Sequence, residues 1–289
     1  MTTFVRAADD RRIAVEVNGD PKGQPVFFLH GTPGSKVGPL PRGLRLGAMG
    51  VRLISFDRPG YGESDPLVSR TVADVAPDVE AIADQLGLDR FAVVGRSGGG
   101  PHALACAALL PGRVTRAAAL VSLAPWDAAG LNWFEGMADS NVDAYTSASA
   151  DPERYTASLV QQAAKIKADP RSHVSTLSPE MPESDRRVVA DAGIRALLAA
   201  NFAEALRNSH DGWADDVLAF CSPWGFDPRD IRLPVLLWHG AEDVFSPVAH
   251  TRWLAERIPG VHIWTPPGGG HFEAFNVLPD VLSWLIRTS

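Results

Sequence analysis

A serine sits among glycines at Gly95-Arg96-Ser97-Gly98-Gly99, after the apolar run 91–94 and before a stretch of small residues starting near Pro101. The three letters G-x-S-x-G are a weak signal alone, but a strand before them and a helix after them make them a strong one. So sharp a strand-to-helix turn forces the serine into a strained backbone conformation, and the flanking glycines let neighbouring chain pass without Cβ clashes. The hydroxyl is then exposed at the carboxyl end of a strand. A serine hydroxyl is a poor nucleophile at neutral pH, so it needs a base, a group to orient that base, and donors for an oxyanion.

Candidates for all three are present. The apolar segment 234–239 runs into Gly240-Ala241-Glu242-Asp243, which puts Asp243 just past another strand end. Residues 261–265 lead into the glycine-rich loop 266–270, which delivers His271 ahead of the last helical stretch. Chain order is therefore Ser97, Asp243, His271. Upstream, the run 26–29 enters His30-Gly31-Thr32-Pro33-Gly34, a turn-forming loop. The backbone N–H groups of Thr32 and Gly98 are the expected oxyanion donors. Among the other histidines, His30 is expected to brace its loop, His102 to pack one turn into the helix after Ser97, and His239 to be structural.

The elements that must position these groups follow from periodicity. Residues 12–17 alternate as an antiparallel strand should, with a turn at Asn18-Gly19-Asp20. Runs at 26–29, 51–56, 91–94 and 117–123 read as core strands, and 71–86 carries apolar residues at helical spacing before Gly87. From 126 to 230 no strong strand run appears, and amphipathic stretches such as 192–206 alternate with polar turns. The expected organisation is a core formed by 1–125 and 231–289, with a helical cap inserted at 126–230. Four of the eight tryptophans fall in that insertion. Ligand pockets are lined mostly by apolar and aromatic groups, so Trp126, Trp133 and Trp224, with Phe272 beside the histidine, are the expected pocket residues.

These landmarks resemble the α/β-hydrolase superfamily over nearly the whole chain. The matching residues are 30–34, Asp57-Arg58-Pro59-Gly60-Tyr61-Gly62-Glu63-Ser64, 95–99, 240–243 and 270–272. The resemblance implies an α/β-hydrolase fold: a mostly parallel sheet of about eight strands, helices on both faces, and the site at the sheet's carboxyl edge. It is similar above all to small bacterial esterases and to epoxide-hydrolase-like and haloperoxidase-like enzymes. It also implies the acid at the Gly-x-x-Asp turn, which favours Asp243 over Asp127, the residue after the preceding strand. The 30–34 loop is similar to that of proline iminopeptidases, although no carboxylate cluster marks a clamp for an amino terminus. Asp57 and Arg58 are expected to fix their loop through an internal ion pair or hydrogen bonds. Arg96 is expected to pack or form a salt bridge behind the turn, with contact to a substrate carboxylate or carbonyl as the secondary reading.

The expected reaction is hydrolysis of a small to medium apolar carboxylic ester, lactone or thioester through an acyl-enzyme. A serine at this place argues against dehalogenase and ordinary epoxide-hydrolase chemistry, which need a carboxylate nucleophile. Alternatives are non-hydrolytic chemistry with His271 as base, an aminopeptidase, and a ligand-binding receptor. The 289 residues carry a net charge of −7, which offers no basic surface for nucleic acid. No apolar run reaches the roughly 20 residues of a membrane span, and the first residues lack a secretory signal, so a cytoplasmic protein acting on a small molecule is expected. Two cysteines, Cys106 and Cys221, imply neither a disulfide nor a metal site, and no metal or cofactor is expected.

Overall fold

The computed structural model describes residues 2–38 and 43–287. Its sheet has eight strands: β1 (Thr3–Arg6), β2 (Arg12–Gly19), β3 (Gln24–Leu29), β4 (Val51–Phe56), β5 (Phe91–Arg96), β6 (Val114–Leu120), β7 (Val235–Trp238) and β8 (His262–Trp264). Their spatial order is β1-β2-β4-β3-β5-β6-β7-β8. The first two strands pair antiparallel, and every pairing from β4–β3 to β8 is parallel.

Strands covered on both faces read as continuous apolar runs, because side chains pointing either way are buried. In β3, Val26 and Phe28 face one core, and Phe27 and Leu29 face the other. The first of these layers is closed by α1 (Gly43–Ala48) and by α11 (Ala274–Leu285), which contributes Leu278, Val281 and Leu282. The opposite layer is closed by α2 (Val75–Gln85) and α3 (Gly99–Leu109). The alanines of α3 at 103, 105 and 107 are fully buried, which lets that helix lie close beneath the serine turn.

Between β6 and β7 the chain forms α4 (Asp139–Ala150), α5 (Pro152–Ala168), α6 (Ser172–Leu177), α7 (Glu183–Ala190), α8 (Ala192–Ala205) and α9 (Asp211–Phe220). The last connection to β8 carries α10 (Val248–Ala255). Several elements differ from the sequence expectation. β1 went unread because only Val5 of its four residues is buried, so it has no alternation to see. Helix α2 starts at Val75 instead of 71, since the Asp74 carboxylate accepts from Thr71 N at 2.6 Å and holds a turn there. β6 stops at Leu120 and not 123, where Val121 takes φ +46°.

Candidate functional site

The turn from β5 into α3 places Ser97 at φ +55°, a left-handed conformation that a non-glycine residue adopts at an energetic cost. It is held there by Ser97 N–H donating to Leu120 O at 2.8 Å. Close backbone contacts explain the glycines: a Cβ on Gly99 would press into the Leu29 and His30 carbonyls, and one on Gly95 into the Gly99 backbone.

His271 lies in the loop before α11, with Nε2 3.0 Å from Ser97 Oγ and Nδ1 2.8 Å from Asp243 Oδ2. An ionised carboxylate only accepts, so Nδ1 carries the proton and Nε2 is free to accept from the serine hydroxyl. Asp243 is buried and fully engaged. Its Oδ1 accepts from Phe245 N and Ser246 N, and its Oδ2 from His271 and from His239 Nε2 at 3.2 Å. Burial would raise its carboxyl, but the charge of His271 and the hydrogen bonds from His239 and His271 outweigh that and hold it well below the usual carboxylate range. Asp127 is exposed and takes no part.

The Thr32 amide is aimed by its own peptide plane. Gly31 O accepts from His30 Nδ1 at 2.8 Å and Arg58 Nη2 at 3.1 Å, so the trans Thr32 N–H points the opposite way. In the same manner Ser97 O accepts from Gly100 N at 2.8 Å, which turns the Gly98 N–H away from that bond. Among the described residues neither amide has a protein acceptor. The two residues adjoin, for a Cβ added to Gly98 would sit 2.9 Å from Thr32 Cβ.

Three buried acidic or amide side chains behind these groups, Asp185, Asn201 and Asp216, carried no sequence signal of their role. Asp216 of α9 joins Arg58, Arg70, Tyr61 and the Thr32 hydroxyl. Burial would raise its carboxyl, and the two guanidinium groups hold it far below the ordinary value instead. Asp185 of α7 accepts from His271 N at 3.0 Å and Phe272 N at 2.7 Å, fixing the loop that carries the histidine. Asn201 of α8 takes Ser35 N at 2.9 Å, beyond the Thr32 loop. Asp57, expected to fix its loop by an ion pair or hydrogen bonds, accepts Glu63 N of that loop at 3.2 Å and also receives Lys36 Nζ at 2.8 Å, while Arg58 pairs with Asp216 and not with Asp57. His30 also accepts Arg58 N, and burial followed by the Arg58 charge keeps it neutral, as burial keeps His102, which is lowered to about 3.

A cavity of about 340 Å³ opens over Ser97, with His271, Thr32, Gly98 and Phe272 in its wall. The helices between β6 and β7 supply much of the remainder: the aromatic residues Tyr145, Tyr155, Phe202, Trp213 and Phe220, and polar residues that include Ser147 and Gln162. Trp126, Trp133 and Trp224 were expected here and do not line it. The Trp133 ring packs edge-on against Trp126, Tyr145 and His250, and its N–H donates to the Ala124 and Pro125 carbonyls. Trp224 stacks on Phe226 and accepts Ala73 N through its carbonyl, covering the start of α2. Among the described residues no group of three or more His, Cys, Asp or Glu side chains converges as a metal site. No helix of the described residues is long and apolar enough to cross a membrane.

The family model for the alpha/beta hydrolase fold matches residues 24–275. A proline iminopeptidase of Xylella fastidiosa is 28% identical over 299 aligned residues, covering 93% of this chain and 90% of that protein. Among solved structures, the enol-lactonase of Burkholderia xenovorans LB400 superposes with a TM-score of 0.71 at 16% identity, covering 98% of this chain and 99% of that one. An esterase of Exiguobacterium antarcticum gives 0.70 at 22% identity, with both chains fully covered. At these identities the two structural likenesses speak to the fold.

Proposed function

This chain belongs to the alpha/beta hydrolase fold family, and from that membership and its site we propose a serine hydrolase that cleaves a carboxylic ester through an acyl-enzyme. The observation that carries the proposal is the continuous Ser97–His271–Asp243 hydrogen-bond relay at the floor of the cavity. Ser97 Oγ attacks the acyl carbon as its proton passes to His271 Nε2. Asp243 holds the tautomer and stabilises the imidazolium that forms. Charge develops on the carbonyl oxygen, where the Thr32 and Gly98 amides would receive it, a contribution of about 10² to 10³ in rate per donor in comparable sites. His271 then protonates the leaving alkoxide, and a water activated by the same nitrogen releases the acid. The helices between β6 and β7 act in this reading as the cap that shapes the acyl pocket.

Intact-mass analysis after treatment with a fluorophosphonate tests the reading. One adduct on Ser97, absent in His271→Ala, is expected. Ser97→Ala should retain only about a millionth of the ester turnover, and a near-normal rate in that variant would overturn the mechanism. The iminopeptidase relatives support a second reading, an aminopeptidase. An α-ammonium group needs acidic acceptors, and Asp143, an exposed residue, is the one aspartate or glutamate among the described lining residues. Parallel assay of a prolyl arylamide and an aryl ester separates the two, with the ester expected to be the better substrate.

A further inference from the structure

Arg96 immediately precedes the nucleophile and is 8% exposed. It lines the cavity over Ser97. Among the described residues it forms no salt bridge, and its Nε is a buried donor without a partner. Its guanidinium lies over the ring of Phe275, 4.1 Å from the centroid, and 5.6 Å from that of Phe272. The acids nearest in charge are already engaged: Asp243 by its two backbone amides and two histidines, and Asp185 by the amides of His271 and Phe272.

A buried cation without a counter-ion is expensive unless something arrives to pair with it. Stacking on two aromatic rings offsets part of that penalty but satisfies none of the five donors. Burial lowers the guanidinium only to about 10, so it stays charged at neutral pH. Its end is also near the chemistry. A Cβ added to Gly31 would lie 3.1 Å from Arg96 Nη1 and 3.5 Å from Ser97 Cβ, so arginine and serine flank the same glycine. The planar fork of a guanidinium matches a carboxylate bidentately.

Resting on the serine hydrolase reading, we infer that the substrate is an anion, an ester or lactone bearing a free carboxylate that pairs with Arg96 while Ser97 attacks the acyl carbon. The site would thus select carboxylate-bearing esters over neutral esters of the same size and, where the carboxylate lies on the acyl side, would bind dicarboxylates as products.

Matched pairs of esters test this. Monomethyl glutarate against methyl hexanoate places the carboxylate on the acyl side, and butyryloxyacetate against butyl butyrate places it on the alcohol side. Wild type should favour the anionic member of at least one pair, and which pair it is locates the carboxylate. Arg96→Met keeps the apolar stem, and should lower the anionic-to-neutral ratio of kcat/KM about 10- to 100-fold, chiefly through KM. Arg96→Lys keeps the charge without the fork, and should lower it less; that variant carries the test if the methionine variant fails to fold. Equal losses on both members, or no preference in wild type, would overturn the inference. Glutarate binding by calorimetry gives a readout independent of turnover, and it should weaken at least tenfold in Arg96→Met. If Ser97 takes no fluorophosphonate and no ester is cleaved, the hydrolase reading fails by itself. Glutarate affinity that ignores Arg96 removes the anion site whatever the turnover.

Discussion

The Asp185 carboxylate is buried and serves two backbone amides at once, His271 N at 3.0 Å and Phe272 N at 2.7 Å. Burial raises its carboxyl above the ordinary value in spite of the nearby His271 charge and those two amides, so this anion is held in place at some energetic expense. Asp185→Ala leaves two buried N–H groups without an acceptor, at about 1 to 3 kcal/mol each, or about 2 to 6 kcal/mol together. For a chain of 289 residues unfolding entropy scales so that each kcal/mol moves the thermal midpoint by about 1.5 °C, giving a fall of about 3 to 9 °C. Asp185→Asn keeps one acceptor oxygen but turns an amide donor toward the second N–H, so about half that loss is expected. A functional effect of similar size should accompany the thermal one. A displacement of about 1 Å of His271 against Ser97 lowers kcat about 10²-fold, while KM changes little because Asp185 does not line the cavity. The assay is steady-state ester hydrolysis beside a thermal melt of the same preparation. An alanine variant with unchanged midpoint and unchanged kcat would refute the assignment of Asp185 as a positioning residue.

Asp216→Asn leaves Arg58 and Arg70 facing a neutral amide in a buried cluster; a loss of about 3 to 5 kcal/mol is expected, read as a lower denaturation midpoint with an unchanged m-value. Gly98→Ala places a Cβ 2.9 Å from Thr32 Cβ and 3.0 Å from Phe220 Cζ; displacement of an oxyanion donor should reduce kcat by about 10² or more, and kinetics showing only a KM change would contradict the placement of that donor. Burial holds His102 near 3, His173 near 4 and His30 well below its ordinary value, so all three are neutral in the fold at neutral pH. The unfolded chain takes up protons below about pH 6.5 that the fold refuses, so this stability is present above that pH and is lost as pH falls toward the folded values. The loss should be about 2 kcal/mol per histidine between about pH 7 and about pH 5; a midpoint that stays flat or rises over that range would count against neutral burial.

The groups that were readable in the sequence sit where the backbone changes type. Ser97, Asp243 and His271 each follow a strand and each has a glycine within three residues, so composition announces them. The cavity wall was not readable, because which face of a helix looks inward depends on how six short helices rotate against one another. Trp133 and Phe202 are equally plausible by composition, yet one braces the Ala124 and Pro125 carbonyls and the other faces the cavity. Asp185 and Asp216 were invisible for a related reason. Acidic residues within short helices look like solvated surface, and only long-range contact shows them buried. Asp216 meets Arg58 across 158 positions of chain, and Asp185 meets His271 across 86.

Those distant contacts bear on what the inserted helices are for. Asp185 on α7 holds the histidine loop, Asn201 on α8 holds the Ser35 end of the loop that carries Thr32, and Asp216 on α9 holds the Thr32 side chain and Arg58. Arg58 in turn fixes the His30 and Gly31 carbonyls, and thereby the direction of the Thr32 amide. The histidine loop and the Thr32 loop are thus each tied to at least one helix of the insertion through a buried polar contact. Such contacts are costly to half-break, because a lost partner leaves a desolvated donor or charge behind. Motion of the insertion as one rigid lid would break several of these contacts together. Access to Ser97 is therefore better served by local rearrangement along α5, whose Ser158 and Gln162 line the cavity and which supplies no side-chain bond to the serine, aspartate, histidine or Thr32 loops.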